Sequence, residues 1–264
     1  MMMLWIGVTG MVLAGICLLV ARSAAKRVRG IAGTETSTIA ELNELHRAAE
    51  EAAGAGHFRY RCEIVAETVA PEGGPLVSEL ARRECVWHKH RVTHKYWETR
   101  TDNEGNRRRE EKTRVVSQHV SAEDLSVRDA TGDILVRPGK KEIDRPEKIL
   151  DRFERDTGGA SGGISFKGFT LNLPSDGGSI GFQQEEWIVA SGRRLYVLGE
   201  ASDDHGRLVI GPPSDGGLFI VSTRSEEELL GSARSRERGF RVAGLILGAV
   251  GALLLVAGTV TALL

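Results

Sequence analysis

Residues 1–20 read MMMLWIGVTGMVLAGICLLV and residues 242–264 read VAGLILGAVGALLLVAGTVTALL, and neither stretch carries a charged side chain. About 20 apolar residues wound as a helix cross roughly 30 Å of hydrocarbon, so each stretch is long enough for one pass. The flanking charges are one-sided. Arg22, Lys26, Arg27 and Arg29 follow the first stretch, and Arg234, Arg236, Arg238 and Arg241 precede the second. Both clusters therefore border the middle of the chain. Cytoplasmic flanks collect Lys and Arg, so a two-pass protein is expected, with its middle in the cytoplasm and both termini outside. The same basic side chains are expected to meet lipid headgroups. A cleaved signal peptide is the alternative for the first stretch, but it would carry its positive charge before the apolar run. Gly244 and Gly248 stand in G-x-x-x-G spacing with Gly251 nearby, a pattern that lets a second helix approach closely. Glycine is common in membrane helices, so the match alone carries little. Hydroxyls occur in these stretches only at Thr9, Thr259 and Thr261, too few to line a pore or carrier.

Working inward, residues 21–57 form a basic flank and a linker helix. Thr38 and Glu41 make a capping box, Ile39, Leu42, Leu45 and Ala49 an apolar stripe, and Gly54 a stop. From residue 58 the period becomes two, with Phe58, Tyr60, Cys62 and Ile64 alternating with Arg59, Arg61 and Glu63. Long strands are expected over 84–98 and 112–121, joined by a charged hairpin loop at 101–111. A shorter hairpin is expected from Leu125 to Val136, turning at Asp129-Ala130-Thr131-Gly132. Asp144 with Pro146 reads as the start of a short helix over 147–155. Residues 157–181 are Gly- and Ser-rich and read as a loop with one strand over 164–173. Short strands then fall at 186–189, 194–200, 208–210 and 218–222. Residues 58–225 are thus a β-rich domain, and 226–241 a helical basic linker into the second apolar stretch (242–264). The fold class is mainly β, a small barrel or sandwich flanked by two transmembrane helices. Pro-Ser-Asp-Gly-Gly occurs at 174 and again at 213, which is too short for a duplication and reads as two similar turns.

Composition narrows the function. The 264 residues carry a formal net charge of −1, so no basic field draws in nucleic acid. Three Cys cannot build a disulfide framework or a four-thiolate zinc site. No P-loop, dinucleotide fingerprint, EF-hand loop or H-E-x-x-H helix occurs, and no cofactor is expected.

A run of loose motifs resembles a known family. They are Gly74-Pro75-Leu76, Cys85-Val86-Trp87, the Asp129-x-x-Gly132 turn, and Glu186-Trp187-Ile188 with Gly192. Leu195-Tyr196-Val197-Leu198-Gly199-Glu200-Ala201 follows, then Gly206, Leu208, Ile210 and Leu218-Phe219-Ile220-Val221-Ser222-Thr223 before the second apolar stretch. This resembles the GIDE-type domain, the "beside a membrane" module of the mitochondrial membrane-anchored RING ubiquitin ligases, over nearly the whole chain. The resemblance implies a membrane-flanked β domain and, by inheritance, ubiquitin-protein transfer. The sequence departs from the ligases in one respect. A RING needs about eight Cys and His ligands for two zinc ions, and no such set follows the second apolar stretch here. No residue of this sequence can therefore be assigned the transfer role, and it reads as a RING-less version. Its Arg, Ala and Gly richness suits a bacterial source, and the membrane is then the plasma membrane. The ligases hold this domain in the intermembrane space, whereas the arginines here predict a cytoplasmic one.

Cys85, His88, His90 and His94 crowd one strand, and imidazole and thiol are good zinc or copper ligands. On a strand the three histidines share one face and Cys85 points to the other. His94 lies about 20 Å along from His88, so only His88 and His90 could share an ion, with ligands from another strand. The ordinary reading is a mixed strand face among Val86, Val92 and Tyr96. Gly159-Ala160-Ser161-Gly162-Gly163 matches G-x-S-x-G, but lacks the buried strand before it and the helix after it that a nucleophile elbow requires. Arg107, Arg108, Arg109 and Lys112 are diluted by Glu104, Glu110 and Glu111, so they read as a solvated hairpin end rather than a nucleic-acid patch. Cys62 and Cys85 are expected as free thiols in a cytoplasmic domain. The sequence thus points to a non-catalytic binding or scaffold module at the membrane surface. Its partners would be the bilayer and a protein or peptide, with segment 157–181 the most adaptable surface and stress or envelope signalling the setting. A ubiquitin transferase by inheritance and a histidine-based metal sensor are the alternatives.

Overall fold

The computed structural model describes residues 2–101, 105, 107–156, 163–166, 169–172, 178–203 and 206–263. The chain is mainly β with a five-stranded barrel, and its first and last helices are both long and apolar enough to cross a membrane. The helices are α1 (Met2–Ala32), α2 (Ile39–Ala53) and α3 (Glu226–Leu263). The strands are β1 (Arg59–Val69), β2 (Leu76–Val77), β3 (Glu84–Cys85), β4 (Trp87–Thr101), β5 (Arg107–Val120), β6 (Leu125–Arg128) and β7 (Asp133–Val136). They continue as β8 (Glu147–Arg155), β9 (Gly163–Phe166), β10 (Phe169–Asn172), β11 (Ser179–Val189), β12 (Arg194–Ser202), β13 (Val209–Gly211) and β14 (Ile220–Ser222). Two compact units result, residues 1–65 with 195–264, and residues 66–194.

In the first unit, α2 begins as its sequence requires. The Glu41 backbone N–H donates to Thr38 Oγ1 (3.2 Å) and the Thr38 N–H donates to Glu41 Oε2 (2.8 Å), so two otherwise orphaned donors are satisfied. Ile39 and Leu42 are fully buried beneath this cap. Asp203 then fastens the turn after α2: its carboxylate accepts from the N–H groups of Gly56 (2.9 Å) and Phe58 (3.0 Å) and meets His46 Nε2 at 3.1 Å. Strand β12 pairs β13 through Glu200↔Gly211 and β14 through Leu198↔Ile220. A Cβ at Gly199 would stand 2.7 Å from the Gly211 carbonyl oxygen, so this strand admits only glycine there. Ile31, Tyr196, Leu198, Ile220 and Leu229 form one buried cluster joining helix ends to strands.

The second unit is built on a four-stranded antiparallel sheet in the order β5-β4-β11-β8. The expected long hairpin is present as β4 and β5, and β6–β7 turn at Asp129, whose Oδ1 accepts from the Thr131 (2.7 Å) and Gly132 (3.0 Å) N–H groups. Two expectations are corrected. Residues 147–155 are strand β8, not a helix, with Phe153 opposite Gln183 and Leu150 opposite Glu186 on β11. Ile149, Leu150 and Phe153 are too few for a helical face in so short a segment, and the ladder on β11 supplies the backbone bonds instead. Where one strand was expected over 164–173, residues 163–166 and 169–172 pair antiparallel as β9 and β10.

Candidate functional site

Helices α1 and α3 pack antiparallel along a seam of small residues. A Cβ on Gly7 would stand 2.8 Å from Leu255 Cγ, and one on Gly10 would stand 3.4 Å from Gly251 Cα. One on Gly248 would lie 3.7 Å from Ala14 Cβ, and one on Gly244 would lie 3.1 Å from Leu18 Cγ. The G-x-x-x-G residues and Gly251 therefore all face α1, which the sequence supported only weakly. Trp5, Leu245 and Leu253 point outward and are largely exposed, an apolar exterior that water would not favour. Thr9 Oγ1 donates to the Trp5 carbonyl and Thr259 Oγ1 to the Val256 carbonyl, so these hydroxyls are consumed within their own helices. The antiparallel register has an electrostatic consequence. Level with Leu18 and Gly244, Arg22 is four residues farther along α1 and Arg241 three residues back along α3, offsets of about 6 and 4.5 Å. Arg22, Lys26, Arg27 and Arg29 thus lie at the same end of the helical hairpin as Arg234, Arg236, Arg238 and Arg241.

The second cluster is on the β4–β5 hairpin. His88, His90 and His94 all lie buried on β4. His119 of β5 stands directly opposite His90. Glu79 reaches them from the loop 78–83, between β2 and β3. That loop is folded around one buried carboxylate. Glu186 Oε1 accepts from the Leu80 N–H (2.8 Å), and Oε2 accepts from the Ala81 N–H (2.6 Å) and the Ser78 hydroxyl (3.1 Å). Held this way, Glu79 places Oε2 3.2 Å from His90 Nδ1 and Oε1 2.9 Å from His119 Nδ1. His90 Nε2 meets Ser117 Oγ at 3.0 Å, which orients the ring. The His88 ring lies 5.7 Å from that of His119. Burial lowers the His88 and His90 pKa values and so favours neutral imidazoles, while the Glu79 charge opposes it.

His94 belongs elsewhere. Its ring stacks on Phe182 at 4.6 Å and on Tyr96 at 5.2 Å, and Nε2 meets Ser179 Oγ at 2.9 Å. The structure therefore groups His88 and His90 with His119 and Glu79, two residues the sequence reading did not single out as ligands. Arg107, Arg108 and Arg109 are exposed at the start of β5, and Lys112 pairs with Glu110 at 3.1 Å. Gly159 to Gly162, the body of the G-x-S-x-G match, lie outside the described residues. Cys17, Cys62 and Cys85 are free thiols among the described residues. Burial pushes the Cys62 thiol up to about 12 and the Cys85 thiol up to about 11, so neither is a nucleophile at neutral pH.

No curated protein and no solved structure matches the chain. A family model does: that of GIDE, described as an E3 ubiquitin ligase, matches residues 94–258. The match begins within β4, takes in β5 to β14, and runs through the glycine seam of α3. As it covers more than half of the sequence, the chain belongs to the GIDE family.

Proposed function

We propose that this chain is a membrane-anchored, non-catalytic binding module whose β domain works at the cytoplasmic face of the plasma membrane. The observation that carries this reading is the helical hairpin. Two apolar helices packed through glycine, with every flanking cluster of Arg and Lys at one end, make a two-pass anchor whose charged end borders the folded domain. The basic side chains there serve as contacts to anionic headgroups. The β domain offers a protein or peptide partner its strand edges and loops. Alkaline carbonate extraction of membranes tests the anchor: the chain stays in the pellet if the hairpin is integral and appears in the supernatant if it is not.

The family description favours one other reading, ubiquitin transfer. Incubating the full chain with activating enzyme, a panel of conjugating enzymes and ubiquitin separates the two. A binding module leaves ubiquitin monomeric, whereas a ligase builds conjugates that depend on the added chain.

A further inference from the structure

We infer that Glu79, His90 and His119 form a binding site for one zinc-type divalent transition-metal ion. Their ligand atoms, a carboxylate oxygen and one nitrogen of each imidazole, all lie within 4.8 Å of one another. Glu79 faces each imidazole with a different oxygen, Oε2 at 3.2 Å from His90 Nδ1 and Oε1 at 2.9 Å from His119 Nδ1. Zinc bonds of about 2.0–2.1 Å arranged tetrahedrally give ligand-to-ligand edges of roughly 3.3 Å, so three ligand atoms within 4.8 Å of one another need to close only slightly to share one ion. Three protein ligands with nitrogen and oxygen donors are the set that leaves a fourth position for water or a partner's side chain.

The surroundings are those of a built site rather than a surface accident. The three ligands come from three segments, β4, β5 and the loop 78–83, and each is fixed independently. The cross-strand register sets His119 opposite His90. Ser117 holds the far nitrogen of His90, the outer-shell contact that orients a metal-binding imidazole. Glu186 folds the loop that presents Glu79. His88, next along the same strand face, is buried, and its Nδ1 has no hydrogen-bond partner among the described residues. Access is open on one side, because the His119 side chain is 52% exposed while that of His90 is 3% exposed. Glu79 and His90 precede the residues matched by the family model, and His119 lies within them.

The test uses the full chain in detergent, purified without a histidine tag. Zinc is titrated against a chromogenic chelator, and cobalt is titrated by its visible absorption. The proposal predicts one equivalent of zinc per chain and a cobalt spectrum typical of low coordination number with nitrogen and oxygen ligands. His119→Gln changes an exposed side chain and leaves the far-ultraviolet circular dichroism unaltered. It is expected to weaken binding at least about 10- to 100-fold, as is Glu79→Gln. His94→Gln, outside the cluster, keeps wild-type affinity. Absence of a stoichiometric site in the unsubstituted chain overturns the proposal, and so does undiminished binding in folded His119→Gln and Glu79→Gln. Neither result bears on whether the helices anchor the chain in a membrane.

Discussion

Replacing Glu186 by Gln tests the link from one buried carboxylate to the shape of a loop. Glu186 is fully buried, and it holds three donors of the segment 78–83 through two oxygens. A glutamine keeps one oxygen. Its better orientation places that oxygen at the Oε2 position, where it still accepts from Ala81 N–H and Ser78 Oγ. The Leu80 N–H then faces an NH2 group and loses its acceptor. A hydrogen bond to a charged acceptor is worth about 1.5–3 kcal/mol. Since about 1.4 kcal/mol is tenfold in an equilibrium constant, local opening of the loop should become roughly 10- to 100-fold more frequent. Hydrogen exchange of the detergent-solubilised chain, read peptide by peptide, measures this directly. Protection over 78–83 should fall by that factor, most at Leu80, while α2 in the other unit is unchanged. Equal protection at Leu80 in both proteins would refute the reasoning. A uniform loss across the whole chain would show instead that Glu186 supports the fold at large.

Three other outcomes follow from the same contacts. Thr38→Ala removes the cap on the Glu41 N–H and should cost about 1 kcal/mol in denaturant unfolding, with the loss reported by exchange at the first turn of α2. Glu63 is fully buried, and burial raises its pKa against the hydroxyl donors Tyr196 (2.6 Å) and Thr36 (2.8 Å). The folded chain therefore keeps a proton that the unfolded chain has released, so stability falls as pH rises from the ordinary carboxyl range through the folded value. Glu63→Gln should flatten that part of the pH profile of melting temperature, and a profile as steep as before would contradict the assignment. Gly251→Val would press its Cβ against the Gly7 carbonyl oxygen and the Met11 nitrogen, both at 3.1 Å. It should cost about 1–3 kcal/mol in unfolding by mixed detergents, whereas Gly15→Val, with nothing within 4 Å, should cost little.

Much of the architecture was legible because it rests on local pattern. The two apolar stretches, the Thr38–Glu41 cap, the Gly54 stop, the period-two strands and the Asp129 turn are all decided by residues near one another, and the structure shows each. Segment 147–155 was not legible, because its strand state depends on the distant partner β11 and not on its own propensity. The metal-ligand cluster was half legible. His88 and His90 stand together in the sequence, but their partners depend on strand register. A hairpin centred near residue 104 pairs 90 with 119, whereas the expected loop at 101–111 is centred at 106 and would have set residue 122 opposite His90. Nothing local signalled Glu79, since its position depends on a loop folded around Glu186 more than a hundred residues away. The glycine seam was visible as spacing, but only the opposing face of α1 shows that the spacing is used.

The central claim is that the β domain lies on the cytoplasmic side, next to the basic end of the helical hairpin. Labelling Arg108→Cys with a membrane-impermeant thiol reagent tests it most directly. Arg108 is exposed on β5, and the unsubstituted chain provides the background: Cys62 and Cys85 are buried with raised thiol pKa values, and Cys17 lies within the apolar stretch of α1. The account predicts no label at residue 108 in intact cells and full label after lysis. Full labelling in intact cells would place the domain outside and contradict the account.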